Sequence, residues 1–240
     1  MTTSTRAETR ATTQRTHVRL AGWGALAAAA SYSLQPILVM TIWAPPPGES
    51  LADSYPSPAD IEPLSGEGIY SILAFSVTGL GILLLASGIH RASEQRLGDG
   101  GPWAAVTALL GATAGIAWIL AAAVARTTYS TVATALAEVG ADTGSQKAAL
   151  QAVNIVLSGV LIFSSICFTG WLLGMTHRAR RAKLFGTALS LFAYAVAGLG
   201  VASTVVVGSF IGLVAIIPLL FVLGFVLLRK SATLGNSAEA

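Results

Sequence analysis

The chain has 240 residues, of which 54% are hydrophobic and only 10% charged, and its mean hydropathy is +0.71. A soluble domain carries about 25% charged residues, so this composition excludes a water-soluble globule, a disordered chain, a coiled coil and a collagen. It leaves a helical integral membrane protein, and the formal charge of +3 implies no nucleic-acid partner, because the basic residues sit in short groups that flank apolar runs.

Residues 1–16 are rich in Thr and Arg and lack apolar periodicity, so a disordered tail is expected over 1–19. Six apolar runs follow, near 20–44, 69–90, 103–125, 152–175, 185–207 and 209–228. Each holds about 20 residues, which at ~1.5 Å per residue crosses a ~30 Å hydrocarbon core. The first run offers Ala28-Ala29-Ala30 as a leader-cleavage site. Apolar sequence nevertheless continues from Pro36 to Trp43, and cutting at Ala30 would leave a stub too short to span. The first run is therefore read as a retained helix, ended by Pro45-Pro46-Pro47. An acidic, proline-rich loop spans 45–68. Gly101-Pro102-Trp103 reads as a helix start with proline at the first position. The loop at 126–151 is expected to hold a short helix around 129–139, with Val132, Leu136 and Val139 on one side and Gly140 as its stop. Thr143 with Gln146 fits a capping box before the fourth run. Gly208-Ser209 is the break that makes the last two runs a tight hairpin, and 231–240 form a second tail. Trp23, Trp43, Trp103 and Trp171 lie near run ends, where indole favours the membrane interface.

Orientation follows from the loops. Arg6, Arg10, Arg15, Arg19, Arg91, Arg96, Arg178, Arg180, Arg181, Lys183, Arg229 and Lys230 fall on one side, and only Arg126 and Lys147 on the other. The positive-inside rule then puts both termini in the cytoplasm. Seven of the eleven acidic residues lie on the opposite, outer side. The expected fold is all-α and polytopic: six transmembrane helices, N-in/C-in, one domain over 20–230, in the cytoplasmic (inner) membrane.

No Asp, Glu, Lys, Arg or His lies centrally in any run. Intramembrane ionisable groups mark proton relays, ion pathways and voltage sensors, so a coupled pump or transporter of the usual design is disfavoured. Aspartyl and zinc intramembrane proteases are disfavoured on the same ground. Uncharged polarity remains. Ser31 and Gln35 sit one turn apart before Pro36. Asn154, Ser158, Ser165 and Thr169 form a stripe on the fourth run. Thr187, Ser190, Tyr194 and Gly198 form one on the fifth, and Thr107, Gly111, Ala114 and Trp118 one on the third. The preferred meaning is interhelical glue, since lipid satisfies no hydrogen bonds. The alternative is a polar pocket around Gln35, Asn154, Ser158 and Tyr194 that binds a lipid or an uncharged small molecule. The spacings Gly111-xxx-Gly115, Gly170-xxx-Gly174 and Gly208-xxx-Gly212 fit close packing. Arg178, Arg180, Arg181 and Lys183 are candidate contacts for anionic lipid. His17, His90 and His177 have no metal-ligand spacing, the acidic loop lacks a calcium-loop pattern, and no cofactor or metal is implied. An enzyme would have to work at the interface with Glu67, Arg126 or His90.

Phe168-Thr169-Gly170-Trp171-Leu172-Leu173-Gly174, followed by Arg178-Ala179-Arg180-Arg181 and a new Gly-rich helix, resembles the six-helix integral membrane proteins of actinobacterial type, a family of unknown function. The resemblance covers mainly 168–200 and implies architecture rather than mechanism. The functional expectation is a non-enzymatic accessory or scaffold protein. Its partners would be the lipid bilayer and a membrane protein or a second copy of itself. The alternative is a carrier or receptor.

Overall fold

The computed structural model describes residues 2–41, 58–98, 100–127, 132–203 and 215–236. Side chains up to Arg10, from Gln35 to Thr41, from Pro58 to Ile72 and at single positions such as Asn154 lie outside the description. The described helices are α1 (Thr2–Thr41), α2 (Pro58–Leu97), α3 (Pro102–Arg126), α4 (Ala133–Glu138), α5 (Thr143–Arg181), α6 (Thr187–Val201) and α7 (Ile216–Asn236). The described residues contain no strand.

Four stretches are long and apolar enough to cross a membrane: Leu73–Leu97, Pro102–Ala125, Gly144–Arg181 and Ile216–Leu234. The apolar α6 is shorter, at 15 residues. At 40, 40 and 39 residues, α1, α2 and α5 each run for about 60 Å, twice a hydrocarbon core. Their ends therefore extend beyond the apolar runs. In particular, α1 begins at Thr2 rather than near residue 20, so the helix takes in the segment whose composition suggested disorder.

Local chemistry explains the ends. Gly101 is the N-cap of α3, with Pro102 just inside, where its missing N–H costs nothing. The N-cap of α5 is Asp142, one residue before the expected Thr143. Its carboxylate accepts from the Ser145 amide at 3.0 Å and the Ser145 hydroxyl at 2.6 Å. Gln146 does not complete a capping box but donates to the Ala141 carbonyl at 2.6 Å. A charged acceptor at a helix N-terminus also meets the macrodipole, which is why Asp outcompetes Thr here. The short helix α4 forms within the stretch expected for it, and Gly140 ends it in the left-handed region at φ +65, with the Ala141 amide donating to the Leu136 carbonyl at 3.1 Å. At the far end of α5 the left-handed residue is Lys183, at φ 54, and the amides of Leu184 and Phe185 close onto the Ala179 carbonyl. The expected break at Gly208-Ser209 lies outside the described residues.

The long helices pack in the sequence α7, α1, α2, α3, α5, α6, with α6 returning to α7, so chain neighbours are mostly space neighbours. Successive members are antiparallel. In the first half of α1, His17 and Ala21 meet Gly88 towards the end of α2, and further along Gly24 meets Gly81. α4 leans on α2 and α5. The core holds Tyr32, Phe75 and Trp118 from α1, α2 and α3, with ring centroids 5.2 Å apart for Tyr32–Trp118 and 5.5 Å for Phe75–Trp118. Large apolar side chains also cover the outside: Trp23, Leu80, Leu109, Phe163, Leu191 and Phe225 are each more than half exposed. Water would penalise such a surface and hydrocarbon does not.

Trp171 departs from expectation. It is buried rather than interfacial, at 1% exposure, because Gly111 of α3 leaves room for its indole. A Cβ on Gly111 would stand 2.5 Å from the Trp171 ring. Trp103 is exposed at the start of α3, Trp23 is exposed midway along α1, and Trp43 lies outside the described residues.

Candidate functional site

The polar stripes divide into groups that join helices and groups that close onto their own helix. Ser31 of α1 and Thr78 of α2 share a hydrogen bond of 2.8 Å. Ser164 of α5 donates to the Ala114 carbonyl of α3 at 3.0 Å. Thr107 fills the space over Gly174, and Thr169 that over Gly200. Ser165, Ser190 and Thr107 each donate to the carbonyl four residues back, the usual refuge of a helical hydroxyl. The α3 stripe is buried at Thr107, Ala114 and Trp118, whereas Thr187 and Gly198 of the α6 stripe are exposed. Both members of the Gly111/Gly115 and Gly170/Gly174 pairs face neighbouring helices. The pair Gly208/Gly212 lies outside the described residues.

Of the expected pocket, Ser158 on α5 and Tyr194 on α6 are half-buried, and these helices pack on each other. The side chains of Gln35 and Asn154 lie outside the described residues. Of the expected lipid contacts, Arg180, Arg181 and Lys183 are exposed, while Arg178 is half-buried.

A different site emerges at the end of the bundle where α2, α5 and α7 finish and α1, α3 and α6 begin. Arg96 of α2 donates to the Ala182 carbonyl at 3.0 Å. Lys230 of α7 donates to the carbonyls of Lys183 and Leu184. Two cations thus clasp the turn after α5 and complement the negative end of its dipole. Beside this clasp, a crevice opens between α2, α3 and α5. Its walls include Ile89, His90, Ser93, Thr107, Trp171 and Arg178, and its free interior is about 10 Å³, the room one water needs. On its rim, His90 Nε2 lies 3.2 Å from a Glu94 oxygen, and Arg91 lies 4.0 Å from the other.

Ser93 is the residue that sequence reasoning missed. It is 1% exposed, and its hydroxyl has no hydrogen-bond partner. A buried, unpaired hydroxyl costs about 1–3 kcal/mol. In the sequence Ser93 sits in the polar stretch His90–Arg96 and reads as solvated; only the packing of α3 and α5 over it reveals the burial. Arg178 was singled out by its charge, but not separated from its exposed neighbours. Among the described residues, no group of three or more His, Cys, Asp or Glu stands together as metal ligands.

Comparison with protein-family models, with curated proteins and with solved structures finds no match.

Proposed function

We propose that the chain is a six-span protein of the cytoplasmic membrane, with both termini in the cytoplasm, that acts as a non-enzymatic accessory or scaffold subunit. The observation that carries this reading is the use of interior polar groups. Ser31 to Thr78 and Ser164 to the Ala114 carbonyl each join two helices, and glycine seams draw the same helices together. Such a bundle presents a fixed apolar exterior, suited to holding a second membrane protein or another copy of itself.

Native mass spectrometry of the chain in mild detergent tests the reading, with a Gln35→Leu/Asn154→Leu variant alongside. A partner subunit or second copy in constant ratio is expected in both samples. A defined small-molecule adduct present in the parent and lost in the variant, with helix content unchanged, would overturn it in favour of a carrier or receptor.

A further inference from the structure

We infer that the crevice between α2, α3 and α5 seats one structural water, which joins the Ser93 hydroxyl of α2 to the Thr107 hydroxyl of α3. Elsewhere in the bundle Ser31, Ser33, Thr107, Ser165, Ser190 and Ser231 donate to a carbonyl three or four residues back. The Ser93 hydroxyl makes no such bond, is almost fully buried, and lines the crevice. A buried hydroxyl held off its own helix is satisfied by a partner beyond that helix.

The lining selects the guest. Thr107 stands in the α3 wall and gives its proton to the Trp103 carbonyl, at 2.7 Å. Its oxygen is thereby left as an acceptor, whereas Ser93 has a proton to give. The two hydroxyls do not bond to each other. The free interior that both line is about 10 Å³, room for one water and for no larger guest. A water seated there accepts from Ser93 and donates to Thr107. Its second hydrogen turns to the open rim, where interfacial water continues the chain. Ile89, Ala108 and Met175 complete the wall and offer no strong acceptor in competition. Arg178 and the His90–Glu94 pair stand beside the seat but are already engaged, so neither is called on. The positive charge of Arg178 also disfavours a metal ion in this place. Ser31 with Thr78, and Ser164 with the Ala114 carbonyl, join their helices directly. The Ser93 water does the same for α2 and α3 through a bridge, which in enthalpy is nearly as good as a direct bond.

X-ray radiolysis of the full chain in detergent, read by mass spectrometry, tests the seat. The pulse makes hydroxyl radicals from water where it stands, so a side chain against a bound water is oxidised even when bulk solvent does not reach it. Met175 is 2% exposed and lines the crevice, whereas Cys167 is 5% exposed and does not. Met175 should be oxidised several-fold faster than Cys167, although a thiol is intrinsically the more reactive group. Thr107→Val keeps the side-chain shape and removes the acceptor, and Ser93→Val puts methyl groups into the seat. Each should bring Met175 down to the level of Cys167. Ser165→Ala should leave it unchanged, because that buried hydroxyl is satisfied on its own helix. Met175 no faster than Cys167 in the parent would overturn the proposal. So would fast oxidation of Met175 that persists in both Ser93→Val and Thr107→Val. Ser93→Ala removes a single oxygen and should slow Met175 in part, so it decides the matter even if neither valine variant folds. The inference does not rest on the scaffold reading, since partner stoichiometry plays no part in the readout.

Discussion

Asp142 lies between the apolar stretches of α3 and α5, outside both, and caps the start of α5. The Ser145 hydroxyl and the Ser145 amide hold its carboxyl below the ordinary aspartate range. A depressed carboxyl stabilises the folded end at pH values above its unfolded pKa, and that contribution is lost as pH falls through the folded value. The first turn of α5 should therefore be protected at neutral pH and should fray only below about pH 4. Hydrogen exchange at the Ser145 and Gln146 amides reads this directly. Asp142→Ala should exchange fast across the whole range, and Asp142→Asn, which keeps an acceptor without the charge, should be protected with no acid transition. Protection that persists unchanged well below pH 3 in the parent would count against the cap. The same residue shows the grain of a sequence reading: the start of the helix was legible to within a residue. The choice between Asp142 and Thr143 turned on backbone geometry, which composition does not carry.

At the scale of elements, helix association rests on missing side chains. Gly24 and Gly81 face one another so closely that a Cβ on either would stand 2.6 Å from the other's carbonyl oxygen. Neither backbone can retreat without parting α1 from α2. Gly24→Ala should therefore destabilise the bundle by about 1–3 kcal/mol, the usual cost of overpacking. Gly159→Ala on α5, where nothing lies within 4 Å, should be neutral or stabilising by roughly 0.5–1 kcal/mol, since Ala is the better helix former. Thermal midpoints in detergent separate the two, and equal shifts would remove the seam from the account. The helical class and the apolar spans were legible because lipid demands long apolar runs. The packing partners were legible only in part. Gly111 and Gly115 share one spacing motif, yet Gly111 receives Trp171 of α5 while Gly115 meets Gly79 of α2. Spacing along one helix says that a face is small, and not which neighbour fills it. The crevice was not legible at all, because Ser93, Thr107 and Arg178 are far apart in the chain and meet only through the packing of α2, α3 and α5.

Among the described residues, charge is uneven along the bundle. Arg91, Arg96, Arg178, Arg180, Arg181, Lys183, Arg229 and Lys230 gather at one end, while at the other Arg126 and Lys147 are balanced by Glu138 and Asp142. Positive charge resists translocation and is attracted to the anionic inner leaflet, so the basic end is assigned to the cytoplasm under the reading proposed above. Cysteine accessibility decides this, and the structure dictates where the reporters go. Cys167 is buried and is best replaced by Ala to give a silent background. Position 179 would be a poor reporter, since Ala179 is 0% exposed and a thiol there would stay silent from either side. Arg181 is exposed at the basic end, and Val139 is 76% exposed just after α4. In intact cells a membrane-impermeant maleimide should label Val139→Cys, and should label Arg181→Cys only after permeabilisation. The change at 181 removes one of twelve basic residues on that side, too few to reverse a bias of twelve to two. Labelling of Arg181→Cys in intact cells with Val139→Cys protected would invert the assignment.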